Sequence, residues 1–196
     1  MGLPALLASG RPYADLARFA RGFGEWDGLI AEDGAVVDAP LGRTPLILGR
    51  RVAATVRRRL EATPALQPEL GRVVASVPRA QRRILLQAVT GLPVTIEANI
   101  DRLMVVPTGL GKRAGIRIAL RRLGVDRFGY AAIGDAENDL EMLRGAALSG
   151  AVANAIPAVR AAAEYVCRQP FDRGVLEFVS GPLRERVDGA PRAPPR

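Results

Sequence analysis

Residues 134–139 read Gly-Asp-Ala-Glu-Asn-Asp, and they join an apolar run at 130–133 to a helix-forming run at 140–143. This arrangement predicts a buried strand that ends in a cluster of carboxylates. Oxygen ligands suit Mg²⁺, and the open sheets of α/β proteins bind ligands at the carboxyl ends of their strands. The stretch therefore predicts a parallel-sheet α/β fold with a metal site at that edge.

A structural role for the same carboxylates is the alternative interpretation. Asp135 can act as an N-cap, while Glu137, Asp139 and Glu141 complement the positive end of the helix dipole. Two further segments of the chain favour the functional interpretation.

Lys112 is the only lysine in a chain whose other basic side chains are all arginine. It stands at the start of a helix that is predicted from apolar residues at helical spacing, namely Ile116, Ala119, Leu120 and Leu123. A cation at that end opposes the helix dipole by about 0.3–1 kcal/mol. A compact ammonium can act as a point charge on a phosphoryl oxygen, so the position indicates phosphate contact. Chance in an arginine-rich composition is the alternative.

The opening segment predicts a strand at residues 3–8, a sharp turn at Ser9-Gly10-Arg11-Pro12, and then a helix. The apolar stripe of that helix is expected to comprise Leu16, Phe19, Ala20 and Phe23. A serine hydroxyl and backbone N–H groups at such a turn can bind a phosphate. A simple capping role for Ser9 is the alternative.

In this order and spacing, the three segments resemble the haloacid dehalogenase superfamily of phosphatases. The specific likeness is to the Cof-like, or type IIB, group, whose cap domain is inserted between the second and third motifs. Ser9-Gly10-Arg11 corresponds to the second motif, Lys112 to the third and residues 134–139 to the fourth. Further parallels lie at residues 30–35, 152–155 and 174–175. The compact cap is similar to that of archaeal-type phosphoglycolate phosphatases.

The resemblance implies metal-assisted phosphoryl transfer through an aspartyl-phosphate. Ser9 and Lys112 would be catalytic, with Ser9 holding a phosphoryl oxygen and Lys112 neutralising developing charge. The substrate would be bound by Ser9, Gly10, Arg11, Lys112 and Asn154. Mg²⁺ would be held by Asp135, supported by Asn138 and Asp139.

The first motif of the family, Asp-x-Asp-Gly, carries the nucleophile and the general acid/base, and it does not occur in this sequence. Asp33 and Asp38 are acidic neighbours, but both are predicted to lie in turn-like stretches without the strand that the chemistry needs. The family's first strand lies in the middle of the sheet, so we expect that strand to be missing here.

Three explanations of this absence follow. The sequence can be an N-terminally incomplete version of a longer phosphatase, which is the interpretation we adopt. It can instead be a degenerate protein that binds phosphate or metal without turnover. The missing strand can also come from another chain, as in strand complementation.

The predicted fold is a doubly wound, HAD-like α/β core with a small inserted α+β cap. The core would comprise residues 1–37 and 107–182, the cap residues 38–106, and a disordered tail residues 183–196. Within the cap we predict helices at 50–60 and 80–89 and strands at 73–77, 94–97 and 103–106.

Composition narrows the function classes further. The formal net charge is +8, but aromatic residues make up only 5%, so platforms for base stacking are scarce and nucleic acid is not an expected partner. The chain has no histidine, which excludes His-based triads. Its one cysteine, Cys167, cannot form an internal disulfide, and we expect it to be a small core residue. No segment is apolar enough to span a membrane, and a cytoplasmic location is the default expectation.

We therefore expect a Mg²⁺-dependent phosphatase of a small phosphorylated metabolite. Phosphoglycolate and sugar phosphates are both candidate substrates, since the cap carries no diagnostic motif. The rival interpretation is a phosphate- or metal-binding pseudoenzyme. The resemblance leaves open whether the chain forms a homodimer.

Overall fold

The computed structural model describes residues 2–125 and 129–189. It consists of two compact units, Met1–Phe128 and Gly129–Arg196. This division differs from the predicted one, and the limits 38–106 for a cap stay a prediction.

The first sheet of unit 1 has the strand order β1-β2-β3-β4, with β1 at Leu6–Ala8, β2 at Gly28–Ala31, β3 at Val36–Asp38 and β4 at Leu46–Ile47. β1 and β2 are parallel and are joined by helix α1 (Tyr13–Arg21), whereas β3 and β4 run antiparallel to their neighbours. Between β2 and β3 lies a 3₁₀ turn, Glu32–Gly34. This short turn proves central to the candidate site.

The second sheet of unit 1 is antiparallel and has the order β5-β6-β8-β7. Its strands are β5 (Glu69–Leu70), β6 (Ala75–Pro78), β7 (Val94–Asn99) and β8 (Arg102–Pro107). Helices α2 (Arg50–Glu61) and α3 (Arg82–Ala88) pack on it, and α4 (Lys112–Leu123) follows β8. The helices and strands predicted between residues 50 and 106 are thus confirmed in kind, while the two-residue strands β4 and β5 were not predicted.

The two sheets of unit 1 share an apolar core. Ala31 and Val36 of the first sheet belong to the same buried cluster as Val74, Met104 and Val106, which come from the second sheet or the residue beside it. A second cluster lies between the second sheet and helices α2 and α3. The second sheet with helices α2 and α3, which we call the inserted layer, is therefore packed onto the first sheet by a common core.

Unit 2 is a parallel sheet of order β11-β10-β9, with β9 at Ala131–Gly134, β10 at Leu148–Ala151 and β11 at Tyr165–Val166. Its helices are α5 (Leu140–Arg144), α6 (Pro157–Ala162), α7 (Phe171–Phe178) and α8 (Arg184–Asp188), with a π-helical turn at Val179–Leu183. Cys167 lies in the core beside Leu148 and Phe178, as predicted. Parallel strands alternating with helices confirm the predicted α/β class.

Two sequence expectations, on the apolar stripe of α1 and on the C-terminal tail, are wrong. In α1, Leu16 and Ala20 are buried, but Phe19 and Phe23 are 41% and 65% exposed, with their rings stacked 4.4 Å apart. The helix ends at Arg21, so helical spacing does not apply to Phe23. The predicted tail from Leu183 is also wrong as far as Asp188, because α8 occupies that segment. The rest of the predicted tail, from residue 190 onward, lies outside the described residues.

Among the described strands, β1 and β9 each form one edge of their sheets. The absence of a strand beside them stays a prediction. Within residues 2–125 and 129–189, no helix combines the length and apolar character needed to cross a membrane.

Candidate functional site

The turn Glu32–Gly34 is fastened to the segment that follows β1. The Ser9 N–H donates to the carbonyl oxygen of Ile30 at 2.8 Å, which continues the parallel pairing of β1 with β2. The N–H groups of Glu32 and Asp33 then donate to the carbonyl oxygens of Arg11 and Ser9, at 3.1 and 3.2 Å. The Ser9–Arg11 turn is therefore held against the Glu32–Gly34 turn by main-chain hydrogen bonds.

The Ser9 hydroxyl accepts a hydrogen bond from the Arg11 N–H at 3.2 Å. A hydroxyl can donate one hydrogen bond while it accepts another, so this arrangement leaves Ser9 able to donate to a phosphoryl oxygen. The bond from the Arg11 N–H is also of the type that a capping serine accepts. Both readings of Ser9 are compatible with its position.

Helix α4 begins against the other side of the same turn. A methyl group on Gly34 would lie 2.0 Å from the carbonyl oxygen of Gly111 and 3.1 Å from the Lys112 nitrogen, and Gly34 has a φ of +91°. Gly115 is also close to the turn, since a methyl group there would lie 2.7 Å from the Gly34 Cα. These glycines allow the backbone contact that places Lys112, which is only 7% exposed, beside the turn.

The carboxylate of Glu32 binds backbone N–H groups of the inserted layer. The family parallel at residues 30–35 includes Glu32 but gave it no role. Glu32 is 1% exposed. One oxygen accepts from the Arg72 N–H at 2.9 Å, and the other accepts from Val73 and Val74 at 2.7 and 3.1 Å. A longer bond of 3.4 Å comes from the Tyr13 N–H at the start of α1. A buried carboxylate is costly unless it is paired in this way.

Glu32 and Asp33 both adopt left-handed backbone conformations, with φ of +53° and +49°. Residues other than glycine that are held in such regions typically cost about 1–3 kcal/mol each. Both side chains are buried, and surrounding structure must stabilise this conformation. Strain of this kind is concentrated at functional sites in proteins.

Asp38 was predicted to lie in a turn-like stretch, and this is wrong, because it is the last residue of β3 and is 2% exposed. Its Oδ2 accepts a hydrogen bond from the Tyr13 hydroxyl at 2.8 Å. Burial, followed by this bond to Asp38, raises the pKa of the Tyr13 hydroxyl. Tyr13 therefore remains a protonated donor, and the pair ties α1 to β3.

In unit 2, the predicted metal-binding residues lie in one turn at the end of β9. The Asp139 Oδ2 accepts from the N–H groups of Asp135 and Ala136, at 2.9 and 3.1 Å. Asn138 and Asp139 are buried, whereas Asp135 is exposed. One oxygen of Asp139 thus holds the turn together, and the exposed Asp135 carboxylate extends from it.

Asn154 follows the neighbouring strand β10. The Asp135 carbonyl oxygen accepts from the Ile156 N–H at 3.0 Å, which places the loop after β10 beside the Asp135 turn. The Asn154 Oδ1 accepts from the Phe171 N–H at 2.8 Å, at the first residue of α7. Its amide NH₂ group can still donate to an anion.

Glu177 on α7 supports the Asn154 loop from behind. Its carboxylate accepts from the Arg168 and Gln169 N–H groups, each at 3.0 Å for the shorter contact, and from the Tyr165 hydroxyl at 2.8 Å. The Gln169 carbonyl oxygen in turn accepts from the Ala153 N–H at 3.1 Å. The bond from the Arg168 amide, followed by that from Tyr165, lowers the pKa of Glu177.

The residues of unit 2 fit a magnesium ion in type. Among the described residues, no group of three or more acidic, histidine or cysteine side chains forms a metal cage by itself. Mg²⁺ commonly takes only one or two protein carboxylates and keeps water or phosphate oxygens as its remaining ligands. An exposed carboxylate at a strand end, with an amide side chain in the same turn, is compatible with that donor set.

The predicted residues thus fall into two sets. Ser9, Gly10, Arg11 and Lys112 surround the Glu32–Gly34 turn of unit 1, while Asp135, Asn138, Asp139 and Asn154 lie at the carboxyl ends of two neighbouring strands of unit 2. Glu32, Asp38 and Glu177 were missed as functional or supporting residues. For Glu32 a signal was available in the family parallel at residues 30–35, and for Asp38 in its place directly after apolar residues 36–37.

The chain is similar to known hydrolases and phosphatases. A family profile described as haloacid dehalogenase-like hydrolase matches residues 83–179. A phosphoglycolate phosphatase of Aeropyrum pernix is 41% identical over 92 residues, which are 47% of this chain and 36% of that relative. The chain therefore spans little more than a third of a relative that it matches at this identity.

A longer but weaker match extends over most of the chain. A phosphoglycolate phosphatase of Metallosphaera sedula is 26% identical over 181 residues, which are 91% of this chain and 82% of that relative. Among solved structures, that of Thermoplasma acidophilum 0175 matches with a TM-score of 0.78 at 14% identity, covering 91% of this chain and 83% of the other. At that identity the structural match supports the fold alone.

Proposed function

We propose that this chain acts in the hydrolysis of a small phosphate monoester, because it belongs to the family of haloacid dehalogenase-like hydrolases. The observation that carries the proposal is the turn Glu32–Gly34. Ser9 adjoins it on one side and Lys112 on the other, although the two residues are far apart in sequence. Both residues have side chains whose chemistry suits a phosphoryl oxygen.

In this mechanism Ser9 donates a hydrogen bond to a phosphoryl oxygen, and Lys112 neutralises the negative charge that develops on the phosphoryl group. Lys112 is buried, so its charge would act through a medium of lower dielectric constant than water. Arg11, whose guanidinium lies over the Phe19 ring at 5.8 Å from its centre, would add a second cation. Each of these groups binds or orients the phosphate.

In unit 2 we assign the metal site to Asp135, with Asn138 beside it. A bound Mg²⁺ would neutralise charge on a phosphate oxygen and help to orient it. Asp139 would keep the turn in shape through its bonds to the Asp135 and Ala136 amides. Asn154 would donate its side-chain amide to the phosphate while its oxygen holds the start of α7.

Phosphoglycolate is the substrate that we propose. Its support is the name of two relatives, from Aeropyrum pernix and Metallosphaera sedula, which match different lengths of this chain. The test compares kcat/KM for 2-phosphoglycolate and glucose 6-phosphate. A preference for the sugar phosphate would contradict this assignment without affecting the phosphatase proposal.

This sequence offers no candidate for the nucleophilic aspartate, because it contains no Asp-x-Asp. We propose that a segment outside the sequence supplies it. The second candidate function, a phosphate-binding protein without turnover, is favoured by the same observation. Hydrolysis of a generic phosphomonoester with Mg²⁺ distinguishes the two, when this chain is compared with one extended through the upstream in-frame codons. Turnover only in the extended chain supports the enzyme.

The site residues are tested by phosphate binding, which does not require the nucleophile. We expect Lys112→Ala and Asp135→Ala each to weaken the binding of inorganic phosphate, measured by calorimetry with Mg²⁺ present, by about tenfold or more. Arg58→Ala is the control, because Arg58 is an exposed cation on α2. Equal weakening in all three variants would point to general charge attraction and would contradict the site assignment.

A further inference from the structure

The Glu32 carboxylate joins two parts of unit 1 that are distant in sequence. Its main chain belongs to the turn that binds Ser9 and Arg11, while its side chain binds the amides of residues 72–74 in the inserted layer. Three successive N–H groups directed at one carboxylate form an anion-binding concavity of the kind that backbone turns provide. Here a side chain of the same unit occupies it.

The inserted layer is shaped to receive this carboxylate. A methyl group on Gly71 would lie 2.6 Å from the Glu32 Oε2 and 2.8 Å from the Val74 carbonyl oxygen. The Gly71 N–H donates to that same Val74 oxygen at 2.9 Å, which closes the turn around the carboxylate. Arg57 of α2 donates to the Gly71 carbonyl oxygen at 2.9 Å. The 71–74 turn is therefore fixed on its own side as well.

The same carboxylate stabilises a strained part of the candidate site. Glu32 and Asp33 both have positive φ, and their N–H groups hold the carbonyl oxygens of Arg11 and Ser9. If the Glu32 side chain is released, the left-handed conformation loses its main support, and the two main-chain bonds to the Ser9–Arg11 turn depend on that conformation. A buried carboxylate is a costly choice for packing alone, since an apolar side chain would fill the space without desolvating a charge.

We infer that Glu32 is a positioning residue for phosphate binding. It fastens the inserted layer to the Glu32–Gly34 turn and so fixes the Ser9 and Lys112 elements that adjoin that turn. The inference rests on the proposed function, because it assigns a role within that phosphate site. Among residues 2–125 and 129–189, the hydrogen bonds that the Glu32 carboxylate accepts come from backbone N–H groups, so we assign it a role through the turn and not in direct contact with the phosphate.

Two variants test this from opposite sides. Glu32→Gln keeps the size of the side chain but replaces one of the two accepting oxygens with an NH₂ group, which cannot accept a bond. One neutral oxygen then remains for the three N–H groups of residues 72–74. Gly71→Ala leaves the carboxylate intact but places a methyl group against it. Glu69→Gln is the matched control, because Glu69 lies on the neighbouring strand β5 and pairs with Arg102 at the surface.

The first measurement is amide hydrogen exchange by NMR. We expect the N–H groups of Arg72, Val73 and Val74 to exchange at least about tenfold faster in Glu32→Gln and Gly71→Ala, while the β6–β8 ladder is unchanged. Glu69→Gln should leave both sets unchanged. Unchanged exchange of residues 72–74 in Glu32→Gln would overturn the inference.

The second measurement is the Kd for inorganic phosphate with Mg²⁺, taken at a temperature where circular dichroism shows every variant to be folded. We expect Kd to rise about tenfold in Glu32→Gln and in Gly71→Ala, and the double variant to be no weaker than either single one, because both break the same contact. A wild-type chain that binds phosphate while Glu32→Gln binds it within about twofold would overturn this inference alone. A wild-type chain that binds no phosphate would overturn the proposed function itself.

Discussion

The turn Glu32–Gly34 in unit 1 and the turn of Asp135–Asp139 in unit 2 are built by opposite means. The unit 1 turn is held by residues distant in sequence, since Glu32 binds the amides of residues 72–74 and Gly34 packs against Gly111. The unit 2 turn is held from within, because the Asp139 carboxylate binds amides only three and four residues away. The same chemistry, a carboxylate that gathers N–H groups, thus works over long range in one unit and locally in the other.

This difference has an energetic consequence. A local turn needs little more than its own residues, so its loss affects mainly itself. A turn that depends on distant segments can form only when both layers of unit 1 are in place, and a fault in it should destabilise the whole unit. We therefore expect substitutions in the unit 1 turn to cost much more than equivalent substitutions in unit 2.

The largest expected effect is that of Gly34→Ala. The added methyl group would lie 2.0 Å from the Gly111 carbonyl oxygen, in a backbone conformation that alanine rarely adopts. Because the obstacle is backbone rather than a flexible side chain, α4 must move away from β2. We expect the free energy of unfolding, measured by urea denaturation, to fall by at least about 4 kcal/mol.

Gly91→Ala is the matched control for this variant. Gly91 also has a positive φ, +77°, but no atom lies within 4 Å of the added methyl group. Only backbone strain remains, and we expect it to cost about 1–2 kcal/mol. Equal losses in the two variants would mean that strain, and not the contact between the turn and α4, makes Gly34 necessary.

The sequence predicted the local features of the molecule well. The Asp135 turn and the start of α4 at Lys112 were both read from short motifs, because spacing and helix signals act over a few residues. The inserted helices and strands were found for the same reason. Family resemblance then implied roles for Ser9 and Asn154, which spacing alone does not give and which stay proposals.

The features that the sequence did not predict depend on tertiary contacts. The role of Glu32 requires knowing that residues 72–74 lie beside it, and the burial of Asp38 requires knowing that Tyr13 faces it. The exposure of Phe19 depends in the same way on what packs against α1. Side-chain pattern within one segment carries no information about these partners.

A smaller effect is expected for Asp139→Ala. The variant removes the acceptor of two N–H groups at the start of a helical segment, and losses of that kind usually cost about 0.5–2 kcal/mol. Asp139→Asn should cost less, because its side-chain oxygen can still accept. The control is Glu141→Ala, which removes a surface pair with Arg144 and should stay within about 0.5 kcal/mol of wild type. A loss for Asp139→Ala as large as that for Gly34→Ala would contradict the local character of this turn.

The smallest and most condition-dependent effect concerns Glu177, which fastens residues 168–169 behind the Asn154 loop. The amide bond from Arg168, followed by the bond from Tyr165, lowers the pKa of Glu177 in the folded protein. Its stabilising contribution is therefore fully present above the unfolded pKa of about 4.3 and is lost as the pH falls through the lower folded value. We expect Glu177→Gln to be less stable than wild type near neutral pH and to approach wild type below pH of about 4.

Urea denaturation of both proteins across this pH range measures the difference. Tyr165→Phe removes only the hydroxyl bond and should show a weaker version of the same dependence, because the amide bond from Arg168 lowers the pKa of Glu177 more than the Tyr165 bond does. A gap between wild type and Glu177→Gln that stays constant from neutral to acidic pH would show that the carboxylate charge is not what holds residues 168–169. In that case unit 2 would be stabilised by packing alone, and its contrast with the charge-based contact of Glu32 in unit 1 would be sharper than the hydrogen bonds suggest.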